Sequence, residues 1–152
     1  WFFFSVGIVM WIVLFAIVTY RMILHRSLPD RLVPTLFILL APPAVGFIAY
    51  VKLTGSLDPF ARVLYFFSLF LFLFLVTLFD RFRKIQFYLS WWAYSFPVAA
   101  ITIATMLMVR MTGAPFYFGL AAVLWCFLSL LIAYLSLKTI FGIRRKTICV
   151  EE

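Results

Sequence analysis

Few side chains in this sequence could carry acid–base or metal chemistry. Its 152 residues include one histidine, His25, two cysteines and five acidic residues, against thirteen Lys and Arg. No ionisable residue falls near the middle of an apolar run. Asp80, Arg81, Arg110 and Lys138 stand near run ends, where charged groups can reach water. His25 reads as a solvated residue of a polar connection. Cys126 lies inside an apolar run and Cys149 in the polar tail, so they form no disulfide framework and belong to no metal-spacing motif. A proton-coupled pump needs a buried Asp, Glu or His. A zinc or di-iron membrane enzyme needs a ligand cluster, and an intramembrane protease needs a dyad. The pattern supplies none of these, so no enzymatic activity, catalytic residue, metal or cofactor is expected.

The chemistry that remains belongs to hydroxyls and to the backbone. Ser5, Thr19, Ser68, Ser95, Thr102, Thr105 and Ser129 fall within apolar runs, where they can line a passage or join helices. Pro42 and Pro43 sit in Ala41-Pro42-Pro43-Ala44-Val45-Gly46, and Pro97 follows Trp91-Trp92-Ala93-Tyr94-Ser95-Phe96. A proline inside a helix removes one backbone hydrogen bond and clashes with the carbonyl four residues back. The carbonyls of Ile38, Leu39 and Ala93 should therefore be freed. In a bilayer such groups are costly unless protein or water meets them, so two helices broken near mid-span point to a water-accessible cavity. Ordinary kinks, satisfied by neighbouring helices or by Ser95, are the other reading. Phe96 precedes Pro97, and Ala99, Ala100 and Ile103 follow on roughly the same helical face. A large ring among small residues could plug a narrow passage. Core packing is its alternative role in a chain with 20 phenylalanines.

These residues need membrane-spanning elements to position them. The chain is 67% hydrophobic and 12% charged, with a mean hydropathy of +1.17. Soluble domains run about 45–50% apolar and about 25% charged, and disorder needs low hydrophobicity, so both are excluded. A spanning helix needs about 20 mostly apolar residues. Five stretches qualify: 1–20, 33–51, 60–79, 89–109 and 116–141, with a polar tail over 142–152. Their links are short, which makes neighbours antiparallel, and the alternation of a membrane β-barrel is missing. The third stretch is bulky and apolar all round from Leu64 to Phe79, with no small face, and is expected to face lipid. The second and fourth gather the prolines, small residues and hydroxyls. The order reads outer, inner, outer, inner, outer.

Ten basic residues fall in the first and third links, at the end of the fifth stretch (Lys138) and in the C-terminal tail, and three, Lys52, Arg62 and Arg110, on the other side. The positive-inside rule then starts the chain outside and ends it in the cytoplasm of an inner or plasma membrane. The net charge of +8 belongs to these loops rather than to a nucleic-acid surface. The start, Trp1-Phe2-Phe3-Phe4, has no basic leader and reads as a fragment beginning at a span.

Two segments carry a resemblance. PTLFILLAPPAVGF, from Pro34 to Phe47, and SWWAYSFPVAAITIAT, from Ser90 to Thr105, resemble the tellurite-resistance/C4-dicarboxylate transporter family. That group contains the bacterial TehA-like proteins and the plant slow-type anion channels. The resemblance implies an all-α pore of ten helices in five hairpins, assembled as a homotrimer with one pore per subunit. This chain matches its last five helices, and three inner helices of the pore are missing. It implies that Phe96 occludes the pore and that Pro42, Pro43 and Pro97 kink the pore helices. Ala99, Ala100, Ile103 and Gly46 are the candidates for lining it.

A passive anion channel is the first functional expectation, since selectivity can come from pore width, backbone dipoles and a basic vestibule. A secondary carrier of C4-dicarboxylate, sulfite or tellurite-related anions is the second. A non-transporting helical scaffold is the third. The expected partners are the lipid bilayer, small anions and two further copies of the chain.

Overall fold

A computed structural model describes residues 1–24, 38–77 and 87–145. The expected start of the second span, the end of the third, and His25, Asp80, Arg81 and Cys149 lie outside the described residues. Among the described residues five α-helices follow one another: α1 (Phe2–Leu24), α2 (Ala41–Thr54), α3 (Pro59–Thr77), α4 (Ser95–Thr112) and α5 (Pro115–Arg144). A 3₁₀ turn over Ile38–Leu40 leads into α2, and a 3₁₀ segment, Leu89–Tyr94, leads into α4. Four units are long and apolar enough to cross a membrane: Phe2–Arg21, Pro59–Thr77, Leu89–Thr112 and Pro115–Arg144. Ile38–Thr54 forms a shorter apolar helix. The last helix runs on to Arg144, past the expected end of its span.

Local chemistry sets the ends. Pro59 and Pro115 open α3 and α5, where a missing N–H costs nothing because the first turn has no partner for it. Asp58 caps α3, its Oδ1 accepting from the Ala61 N–H at 2.8 Å. Gly55 and Gly113 close α2 and α4 in the left-handed region, at φ 68° and 65°, a conformation that costs side-chain-bearing residues more than glycine.

The helices run up and down. Trp1 and Phe4, at the start of α1, pack on Tyr50 near the end of α2. The Trp92 indole donates to Thr139 Oγ1 at 3.1 Å, joining the segment before α4 to the last turns of α5. Helices α2 and α4 pack side by side, α3 lies against both, α1 against α2, and α5 along α4. At the centre stands Tyr65 of α3, fully buried. Its ring lies 5.4 Å from that of Phe47 on α2 and 5.8 Å from that of Tyr117 on α5. Its hydroxyl is 3.2 Å from Thr105 Oγ1 on α4.

The expectation that the third span lacks a small face is corrected here. Ala61, Leu64, Tyr65, Ser68, Leu71, Phe72 and Leu75 form one buried stripe on α3. Ala61 and Ser68 in that stripe let α2 and α4 approach. The opposite face, with Val63, Phe66, Phe70, Leu73 and Phe74, is open. Among the described residues α1 and α5 are less covered than α3.

Candidate pore-facing surface

The two helices with the unusual composition are copies of one design. Lys52-Leu53-Thr54-Gly55 ends α2, and Arg110-Met111-Thr112-Gly113 ends α4, 58 residues further on. The hydrogen bonds repeat as well. Gly55 N donates to Val51 O, and Gly113 N to Val109 O, both at 2.8 Å. The Thr54 hydroxyl donates to Tyr50 O and accepts from Ser56 N. The Thr112 hydroxyl donates to Met108 O and accepts from Ala114 N. Each threonine thus satisfies one orphan carbonyl and one loop N–H, so each corner is fixed by local bonds alone.

Laid over one another with that offset, the helices also match in burial. Ala44, Gly46 and Phe47 are buried where Thr102, Ala104 and Thr105 are buried. Ile38, Val45 and Lys52 are exposed where Phe96, Ile103 and Arg110 are exposed. Each exposed set is spaced by seven residues, two helical turns, so each forms a single stripe about 21 Å long. Pro42 and Ala49 on α2, and Ala99 and Met106 on α4, fill the stripes between them. Each stripe is apolar until its last member, which is a cation.

The prolines create the break in a specific form. Pro42, Pro43 and Pro97 all stand in the first turn of an α-helix that follows a 3₁₀ lead-in. The backbone changes helical type at these points. At the second junction Trp92 O accepts both the Ser95 N–H and the Ser95 hydroxyl, the latter at 2.8 Å. Ser95 therefore serves Trp92, one residue before the carbonyl that the sequence singled out.

The candidate residues divide. Phe96 (62% exposed) and Ile103 (53%) stand on the open stripe of α4, and Ala99 is half-buried there. Ala100 is buried on the packed side. Gly46 is buried too, and a Cβ at that position would meet Ile8 Cδ1 of α1 at 3.1 Å. Ala100 and Gly46 thus serve helix contacts: their lack of bulk, which suggested an open lumen, admits a neighbouring helix. The inner hydroxyls follow them. Thr102 and Thr105 are buried and donate to Val98 O and Ile101 O at 2.7 and 2.8 Å. They offer nothing to the open stripe. At the far end of the α4 stripe an open groove of about 390 Å³ lies between α4 and α5, lined by the stripe residues Met106 and Arg110 and by Ala121, Ala122 and Trp125 among others. Among the described residues no three His, Cys, Asp or Glu side chains gather into a metal-binding group.

The sequence reading missed Ile38, Val45, Met106 and the two stripe-ending cations as members of one surface. The signal was available in the repeated basic–apolar–Thr–Gly ending.

Antiparallel apolar helices in hairpins, two of them repeated and each exposing one continuous stripe, define an all-α, multi-pass membrane protein. The chain belongs to the voltage-dependent anion channel family, whose model matches residues 1–140. It is 41% identical over 105 residues to the S-type anion channel SLAH2 of Arabidopsis thaliana, covering 69% of this chain and 20% of that one. It is 30% identical over 105 residues to the guard cell S-type anion channel SLAC1 of the same plant, covering 69% and 19%. An uncharacterized transporter of Methanocaldococcus jannaschii is 30% identical over 120 residues, covering 70% and 35%. The chain therefore spans about a fifth to a third of the length of these relatives. The resemblance to the TehA-like and slow-type anion channel superfamily holds.

Proposed function

We propose that this chain supplies part of the wall of an anion-conducting pore, with the open stripes of α2 and α4 facing the lumen. The observation that carries this reading is the matched pair of stripes. Two neighbouring helices leave equivalent positions exposed, and each exposed set is apolar along most of its length. Phe96 occludes the passage. Its ring is the largest apolar side chain on the α4 stripe, and Ile38 occupies the equivalent place in the 3₁₀ turn before α2. An apolar constriction blocks ions by refusing water. The names of the plant relatives support anions as the permeant species.

A channel fits this surface better than a carrier of C4-dicarboxylate, sulfite or tellurite-related anions. A carrier needs groups that hold its cargo, and the inner hydroxyls are bonded to their own helices on the packed side. In the whole protein the stripes would join those of three further inner helices in a ten-helix subunit, with three subunits per assembly. The basic asymmetry supports a cytoplasmic C-terminus in the inner or plasma membrane.

Phe96→Ala in the full-length protein tests the assignment. A lumen residue gives a variant that reaches the membrane in normal amount and passes currents far larger than wild type. A core residue gives poor expression, because Phe→Ala in a core costs about 3–5 kcal/mol. Normal expression with unchanged current would remove Phe96 from the pathway. Turnover far above about 10⁶ ions per second separates a pore from alternating access, which moves on μs–ms times.

A further inference from the structure

We infer that Lys52 and Arg110 form a paired cationic layer at one mouth of the pathway and concentrate anions there before they enter. This rests on the proposed pore, and it adds residues that set flux rather than closure.

Four observations support it. The two residues occupy equivalent places, three before a left-handed glycine. The same threonine and glycine bonds form both corners, so each charge stands at the same place relative to the end of its own helix. Each ends an otherwise apolar stripe, two helical turns beyond Val45 and Ile103 respectively. Both are exposed, and among the described residues neither has a carboxylate partner, so their charge is not neutralised locally. Asp58, the acidic residue at this end, is engaged by Tyr50 and by the α3 backbone. Two unpaired cations beside an apolar passage raise the local anion concentration, because low-dielectric walls focus their field. Arg62 is exposed on the first turn of α3, beside the exposed Val63, and belongs to neither stripe. It serves as an internal control.

The test uses the full-length protein in planar bilayers, with the double variant Lys52→Gln/Arg110→Gln and chloride as the probe. At about 10 mM salt the Debye length is roughly 30 Å and at about 1 M roughly 3 Å. Unitary flux entering from the corner side should fall about threefold to tenfold at low salt. At high salt it should match wild type, which also establishes that the variant is folded. Entry from the opposite side should change less. Lys52→Arg/Arg110→Lys should behave as wild type, and Arg62→Gln should have no effect. Unchanged flux at low salt, an equal effect from Arg62→Gln, or a loss that persists at high salt would each overturn the cationic layer while leaving an anion channel standing. No anion current from wild type or from Phe96→Ala would overturn both.

Discussion

The hairpin of α2 and α3 and the hairpin of α4 and α5 start from the same corner and diverge immediately after it. Both end their first helix with Thr-Gly, and both open the second with Pro-Phe. The α2–α3 link adds Ser56, Leu57 and Asp58, and Asp58 caps α3 while its other oxygen accepts the Tyr50 hydroxyl at 2.5 Å. The α4–α5 link has Ala114 alone between Gly113 and Pro115, with no side-chain cap. The cores diverge too. Phe47 and Thr105 are equivalent positions, and both converge on Tyr65, one with a ring and the other with a hydroxyl. A repeated backbone thus fixes the geometry, and single substitutions at equivalent sites decide whether a contact is apolar or polar.

The largest effect expected from breaking this correspondence comes from Phe47→Ala. The side chain is fully buried, so its loss should cost about 3–5 kcal/mol, read from reversible unfolding in mixed micelles. A cost below about 1 kcal/mol would mean that the Tyr65 junction is not the centre of the bundle.

Thr105→Val comes next. The single Thr105 proton goes to Ile101 O, so Tyr65 must be the donor in their contact. Valine leaves that buried donor without an acceptor, at about 1–3 kcal/mol. Tyr65→Phe removes the donor itself and should cost only about 0.6 kcal/mol, the usual value of such a bond in a membrane protein. The reverse order would show that the hydroxyl pair is arranged differently.

Gly55→Ala and Gly113→Ala sharpen the comparison of the corners. Nothing lies within 4 Å of a Cβ at either position, so only the left-handed conformation is penalised, by about 1–2 kcal/mol. The two values should agree. A clear inequality, measured by the same unfolding experiment, would mean that the longer α2–α3 link relaxes where the shorter one cannot.

The smallest effect concerns Asp58. The Ala61 N–H, and after it the Tyr50 hydroxyl, hold its carboxyl below the ordinary value of 3.8. A carboxyl lowered on folding contributes stability above 3.8 that is lost as pH falls through the lower folded value. An acid titration of unfolding should therefore show a weak step below 3.8 that Asp58→Asn abolishes. The α4–α5 corner, which has no carboxylate, contributes no such step.

The all-α, multi-pass membrane character was legible in the sequence because length and hydropathy carry it. The Ala-Pro-Pro-Ala run and Pro97 stand in the first turns of α2 and α4 rather than inside a helix. The facing of individual residues was harder to read. Gly46 and Ala100 look like lumen residues because smallness serves a close helix contact and an open passage equally well. Thr102 and Thr105 look available because composition cannot reveal a hydroxyl bonded to its own helix. The α3 stripe was hidden because Ala61 and Ser68 are diluted among phenylalanines that fill the opposite face. The form of the proline breaks depended on where each α-helix begins, and hydropathy does not mark the 3₁₀ lead-in.

Helix α5 contains 30 residues, a rod about 45 Å long, whereas the hydrocarbon layer of a bilayer is about 30 Å thick. The surplus suits the C-terminal end, where Lys138, Arg144 and Arg145 stand and can reach water. Lipids with longer or shorter acyl chains therefore change how deeply those last two turns are immersed, at a cost of fractions of a kcal/mol per Å.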